Sequence, residues 1–95
     1  MVEPPALEEK AKRYGDMLER ALEEVEIAAM RDSFLFRAGC DLLEMARAYH
    51  EDGIFFMGKN DLVNALVCFS YGHGFLDAGV RMGVLRAKSK TLFTL

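Results

Sequence analysis

Apolar residues recur with helical spacing along nearly the whole chain. The first such stretch follows Pro4 and Pro5, and proline suits the first turn of a helix. Its apolar positions, which alternate in steps of four and three, are Leu7, Ala11, Tyr14, Leu18, Ala21, Val25 and Ala28. That alternation is typical of a helix that packs along one side. The pattern predicts a first helix over about residues 5–30.

A second helical pattern covers about residues 33–57. Asp32 or Ser33 should begin it, because both residue types cap helix N-termini well. The positions predicted to face inward are Leu35, Ala38, Leu42, Met45, Tyr49, Gly53 and Phe56. The charged positions predicted to face outward are Asp41, Glu44, Arg47 and Glu51. This separation of apolar and charged positions indicates an amphipathic helix that contributes one side to a core.

The third helix is predicted over about residues 61–85, with Gly58 as the preceding stop and Asp61 as the start. Its inward positions are Leu62, Leu66, Phe69, Leu76 and Val80. Gly72, Gly79 and Gly83 also fall close together on this helix. Each glycine weakens a helix by about 1 kcal/mol relative to alanine. Several of them in one helix therefore suggest that another backbone comes very close.

The connections between the three predicted helices are short, and short connections make neighbouring helices antiparallel. The sequence therefore predicts an all-α fold, an up-down-up antiparallel three-helix bundle. Ninety-five residues are enough for one domain with one core, so residues 1–95 should form a single domain. Residues 86–95 are expected to be a C-terminal tail.

The outward side of the third helix is apolar as well. Tyr71, Phe75 and Met82 lie there, and Phe55 adds apolar surface near the end of the second helix. A helix that is apolar nearly all round is central in a bundle or lies at a subunit interface. These four residues are therefore predicted to form an interface in a homodimer. The alternative is that the apolar tail, residues 92–95, folds back and covers them.

Composition narrows the choice of partner and location. The net charge of −3 argues against nucleic acid as the main partner. No apolar run approaches the length of a membrane span, so no membrane association is predicted. Cys40 and Cys68 lie far apart and form no CxxC motif, and no signal peptide is visible. We therefore expect reduced thiols and a cytoplasmic location.

Four polar residues form the candidate cluster for chemistry. His73, Asp77 and Arg81 follow one another at four-residue spacing, which places them near one face of a helix. Asp52, at the end of the second helix, could reach the same level across the bundle. The cluster fits a structural hydrogen-bond network that fixes the helix register. It also fits an acid–base pair or an anion site around Arg81.

A metal site is a third interpretation of the same region. His50, Glu51 and Asp52 on the second helix, with His73 and Asp77 on the third, offer suitable ligand types. No ExxH or HExxH pattern places such ligands on one helix face, and the two cysteines fit a zinc site poorly. We therefore predict no metal and no cofactor. No nucleophile with a defined spacing supports an enzyme either.

The stretch between Tyr49 and Gly83 resembles the signature of a known family. The residues that carry the resemblance are Tyr49, Asp52, Phe56, Gly58, Asp61, Ala65, Tyr71, His73, Gly74, Leu76, Asp77, Ala78, Arg81 and Gly83. They are similar to those of the archaeal family catalogued as domain of unknown function 357. Gly53 and Gly72 depart from that pattern, in which alanine is expected. The resemblance implies an archaeal cytoplasmic protein with an all-helical bundle, and it implies no activity.

These patterns lead to two hypotheses about function. The first is a small helical interaction or scaffold module that associates with itself through the third helix. The second is an enzyme or a domain that binds a small ligand or an anion, centred on His73, Asp77 and Arg81. Burial of His73 against Asp77 would favour the first. A cleft that opens onto His73, with Arg81 available, would favour the second.

Overall fold

A computed structural model describes residues 5–28, 30, 31 and 33–87. Its elements in chain order are α1 (Pro5–Glu24), β1 (Val25–Ile27), α2 (Phe34–Gly58), α3 (Leu62–Arg81) and β2 (Leu85–Ala87). Each helix packs against the other two, with α1 parallel to α3 and antiparallel to α2. The molecule is an all-α, up-down-up antiparallel three-helix bundle, and the predicted fold class is confirmed.

Local capping sets where α2 and α3 begin. The Ser33 hydroxyl oxygen accepts a hydrogen bond from the backbone N–H of Phe36 at 3.0 Å. The Asp61 carboxylate accepts one from the backbone N–H of Asn64 at 3.3 Å. Each bond satisfies one of the N–H groups that a helix start leaves without an internal partner. Between the two helices, Asn60 takes a left-handed backbone conformation with φ of 57°, which makes the turn short.

The first and third helices end earlier than the sequence predicts. Instead of continuing to about residues 30 and 85, they give way to β1 and β2, which pair antiparallel with Val25 opposite Ala87. Gly83 makes the return possible, because its φ of 78° lies in the left-handed region that glycine adopts at little cost. The predicted tail therefore begins with a strand. The predicted cover, residues 92–95, lies outside the described residues.

One aromatic ring occupies the middle of the core. Phe69 of α3 is 1% exposed and fits between two glycines, Gly15 of α1 and Gly53 of α2. A methyl group added at Gly15 would lie 2.9 Å from the ring, closer than carbon atoms pack. The missing side chains therefore create the slot that holds Phe69. Around it the buried cluster contains Leu18, Ala21, Ala46, Ala65, Leu76, Val84 and Leu85.

The glycines of α3 serve different purposes. A methyl group at Gly72 would lie 3.2 Å from the backbone oxygen of Ala46, so α2 approaches α3 closely there, as the sequence suggests. At Gly79 the nearest group is the Leu85 side chain of β2 rather than another helix. At Gly83 a methyl group would meet no described atom within 4 Å. The prediction of a close helix is thus correct for Gly72 and wrong for Gly79 and Gly83.

The inward stripe of α2 also differs from the prediction. Leu35 and Met45 are exposed, whereas Gly39 and Ala46, which the predicted stripe omits, are buried together with the predicted Gly53. These three residues repeat every seven positions. Gly53 makes room for the Phe69 ring of α3, and Gly39 lies against Ile27 of β1 and Leu85 of β2. The larger side chains of Leu35 and Met45 lie beside this line and are exposed. The predicted outward positions Asp41, Glu44, Arg47 and Glu51 are exposed.

A candidate interaction surface on the third helix

The outer side of α3 carries a shallow apolar groove of about 720 Å³. We call it the α3 groove, and its lining residues are Leu42, Leu66, Val67, Ser70, Tyr71, Gly74, Phe75 and Ala78. None of these described residues is charged. Tyr71 is 60% exposed, and Val67 and nearby Val63 also present about half of their surface to solvent. Water therefore contacts a continuous apolar strip along the helix.

A stack of three aromatic rings forms one edge of the groove. The Tyr49 ring of α2 stacks on Phe75 at 5.8 Å between centroids and on Tyr71 at 5.7 Å. Phe75 is half-buried by this contact, so it belongs to the fold as well as to the surface. Tyr71 keeps most of its area outside. Stacking of this kind favours one orientation of the exposed Tyr71 ring.

The other two predicted interface residues lie toward opposite ends of the molecule. Met82 is exposed at the C-terminal cap of α3. Phe55 is exposed near the end of α2, where its ring meets Phe56 edge-on at 5.5 Å and the Lys59 ammonium lies 5.6 Å from its centroid. The described ring contacts of Phe55 are thus with its own turn and not with the Tyr49 stack. The apolar surface of α3 is centred on Tyr71 and Gly74.

The described contacts join two members of the predicted polar cluster. His73 Nδ1 lies 3.3 Å from Asp77 Oδ2, and the two side chains are 18% and 24% exposed. Which atom carries the proton depends on the histidine tautomer. Arg81 is exposed at the end of α3, and within the described part of the chain no hydrogen bond or ion pair links it to Asp77.

The fourth predicted member, Asp52, lies at a different level of the bundle. It is exposed on α2 and lies near the Cys68 thiol. Burial raises the pKa of Cys68, and the carboxylates of Asp52 and Asp61 raise it further because they disfavour a nearby thiolate. Cys40 and Cys68 are both free thiols. Among the residues that the structure describes, no group of three or more His, Cys, Asp or Glu could hold a metal ion.

The sequence reasoning missed Val67, Ser70 and Gly74 as part of the surface. On a helical wheel Val67 and Gly74 lie beside Tyr71 and Ala78, on the side opposite Phe69, and Ser70 lies farther round the helix. The signal was the absence of charge on this sector from Val63 to Ala78, which a helical wheel shows. In the sequence, Gly74 stands out only in the family resemblance, because a glycine has no side chain that would mark a surface.

Comparison with known proteins gives one match. A family model described as Protein of unknown function (DUF357) matches residues 13–85, which is more than three quarters of the chain. The matched range includes the Phe69 slot, the α3 groove and the His73–Asp77 pair. No curated protein and no solved structure matches the chain. Among the helices described here, none has the length and apolarity needed to cross a membrane.

Proposed function

We propose that this chain, which belongs to the DUF357 family of proteins of unknown function, is a small helical interaction module that associates with itself. The observation that supports this role is the uncharged α3 groove with its exposed Tyr71 and Val67. Family membership also confirms the resemblance noted between Tyr49 and Gly83. The proposed location is the cytoplasm, in keeping with two free thiols.

The physical argument concerns the cost of leaving this surface in water. Contiguous exposed apolar patches on small proteins commonly mark sites of interaction. Burying apolar surface stabilises a complex by about 25 cal/mol for each Å² removed from water. A second copy is the partner we propose, because a two-fold axis lets one apolar face cover another of the same kind. The absence of charge from the groove lining means that this pairing meets no like-charge repulsion.

In this proposal the His73–Asp77 pair is structural. Its side chains are largely buried, and a hydrogen bond there fixes the local geometry of α3. The alternative, an enzyme or anion-binding domain centred on His73, Asp77 and Arg81, needs Arg81 to converge on the pair. The described contacts join only the first two residues. The self-association hypothesis therefore has more support.

Light scattering coupled to size exclusion tests the proposal. The parent protein at tens of micromolar should elute as a dimer, and Tyr71→Glu should elute as a monomer because it places a charge in the apolar contact. Tyr71 is preferable to Phe75 for this test, since Phe75 also packs inside the fold. Phe34→Glu is the matched control, because Phe34 is 75% exposed but lies outside the groove. A monomeric parent protein would refute the proposal.

A further inference from the structure

Gly74 differs from the glycines that pack against described side chains. Methyl groups at Gly15, Gly53 and Gly72 would collide with side chains of the same chain. At Gly74, in the interior of α3, a methyl group would meet no described atom within 4 Å. Glycine weakens a helix relative to alanine, so this residue reduces stability without any packing gain inside the described chain. A partner that needs the space above Gly74 would account for it.

A seven-residue repeat runs along the outer side of α3 through Gly74. Its members, which we call the α3 seam, are Asn64, Val67, Tyr71, Gly74, Ala78 and Arg81. They are spaced alternately by three and four, the spacing along which two helices pack in a coiled coil. The seam lies opposite the buried line of Leu62, Phe69 and Leu76. A second helix can therefore meet the seam without disturbing the core that the structure describes.

The order of side-chain sizes along the seam fits an antiparallel partner. When two copies of α3 cross with a two-fold axis beside residues 72 and 73, Tyr71 faces the partner's Gly74 and Val67 faces the partner's Ala78. Each apolar layer then combines a larger and a smaller side chain, as knobs-into-holes packing requires. A parallel pair would instead place Tyr71 on Tyr71 and leave a gap between two Gly74 residues.

Charge at the ends of the seam favours the same direction. Arg81 is the only charged member of the α3 seam. The antiparallel arrangement brings the partner's Arg81 to the layer of Asn64, whose side-chain N–H donates to the Asp61 carboxylate at 2.7 Å. The guanidinium then approaches an acidic group. In a parallel pair, Arg81 would face the partner's Arg81 and repel it.

We propose that two copies of this chain dimerise through antiparallel pairing of their α3 seams, with Tyr71 of each copy seated over the partner's Gly74. This inference rests on the proposed self-association and specifies its geometry. It also assigns a role to Gly74 that the described residues of one chain do not supply. The partner is a second copy, because the seam is complementary in side-chain size and charge to an identical seam that runs in the opposite direction.

Disulfide trapping tests the direction of pairing. In a Cys40→Ser, Cys68→Ala background, Val67→Cys and Ala78→Cys are made as separate proteins. The antiparallel seam brings residue 67 next to the partner's residue 78, within the roughly 7 Å that a disulfide tolerates between Cα atoms. Like residues lie about 16 Å apart along the helix, from the rise of 1.5 Å for each residue. We expect a covalent dimer after the two variants are unfolded together, refolded and mildly oxidised.

Each variant oxidised alone is the control and should stay uncrosslinked. Rapid crosslinking of either variant with itself, or none in the mixture while light scattering shows a dimer, would overturn the antiparallel seam and leave self-association standing. A monomeric parent chain would overturn both proposals. The two failures are therefore distinguishable.

A second pair of variants keeps the test independent of the cysteine background. Gly74→Leu fills the space over which the partner's Tyr71 would sit, so the dimer dissociation constant should rise at least about tenfold. Gly58→Leu is the matched control, because Gly58 also has no described atom within 4 Å and lies outside the seam. Circular dichroism checks that both variants fold. Equal dissociation constants for Gly74→Leu and the parent would contradict the seam.

Discussion

His73 and Asp77 lie one turn apart on α3 with most of each side chain out of solvent. A hydrogen bond in such a place contributes about 1 kcal/mol, and removing one partner leaves the other poorly solvated. We therefore expect Asp77→Ala to lower the free energy of unfolding by about 1–2 kcal/mol. Urea denaturation monitored by circular dichroism measures this change.

The control for that variant is an exposed ion pair with the same spacing. Lys12 Nζ lies 3.3 Å from Asp16 Oδ2 on the solvent side of α1. Because such pairs are screened by water, Asp16→Ala should change the free energy of unfolding by less than about 0.5 kcal/mol. Equal effects of the two substitutions would show that burial of the His73–Asp77 pair has no consequence for stability.

Gly72 provides a residue-scale test of close packing. A methyl group there would lie 2.7 Å from Leu18 and 3.2 Å from the backbone oxygen of Ala46, and the backbone cannot move away easily. Gly72→Ala should therefore lower the free energy of unfolding by about 1–3 kcal/mol through overpacking. Gly58→Ala, at the end of α2 and with no described atom within 4 Å, should leave stability unchanged or raise it slightly through helix propensity. A more stable Gly72→Ala variant, as helix propensity alone predicts, would contradict the packing described here.

The residue-scale predictions from sequence succeeded where spacing along one helix was sufficient. His73 and Asp77 meet because residues four apart on a helix are neighbours. Asp52 was misplaced because a helical wheel gives no level or rotation relative to the neighbouring helix. Arg81 was expected to join the pair on spacing alone, yet it ends α3 and extends into solvent.

At the scale of elements, the starts of helices were predictable and two of their ends were not. Ser33 and Asp61 cap α2 and α3 through bonds to residues three positions away, so the local sequence contains the signal. The segment Val25–Ile27 is apolar, polar, apolar, which fits a helix or a strand equally well. Its conformation is decided by pairing with Leu85–Ala87, far along the chain, which local periodicity does not reveal.

The turn between α3 and β2 depends on Gly83. With φ of 78° and no described atom within 4 Å of an added methyl group, the cost of a side chain there is conformational and not steric crowding by neighbours. Gly83→Ala should therefore lower the free energy of unfolding by about 1–2 kcal/mol. Gly83→Asn should cost less, since asparagine tolerates this region and Asn60 already adopts it here. Thermal unfolding compares the two, and an equal loss for both would contradict this account.

At the scale of the whole molecule, self-association links stability to concentration. A native state that dimerises is stabilised by mass action, whereas the unfolded chain is not. The melting temperature of the parent protein should therefore rise by several degrees over a roughly hundredfold increase in concentration. Tyr71→Glu should melt at one temperature throughout. A parent melting temperature that does not depend on concentration would argue against the dimer, and differential scanning calorimetry provides the measurement.

The overall architecture was the most predictable level. Three apolar stripes joined by short connections leave few arrangements other than an antiparallel bundle, and the structure adopts it. The apolar outer side of α3 was also visible in the sequence, because charge is missing from that sector. The role of Gly74 was not visible, since it depends on which glycines have described atoms packed against them and which do not.

The pairing of β1 with β2 has a consequence for the order of folding. Glu26 and Arg86 meet across the sheet although 60 residues separate them. Closing this loop costs conformational entropy, and the few hydrogen bonds between two three-residue strands offset only part of that cost. Helix formation and packing first have to bring the two segments together. We expect the pairing of β1 with β2 to form last during folding and to open first on local unfolding. Amide hydrogen exchange in Val25–Ile27 and Leu85–Ala87 should then be faster than in the middle of α3, and slower exchange in the strands would contradict this order.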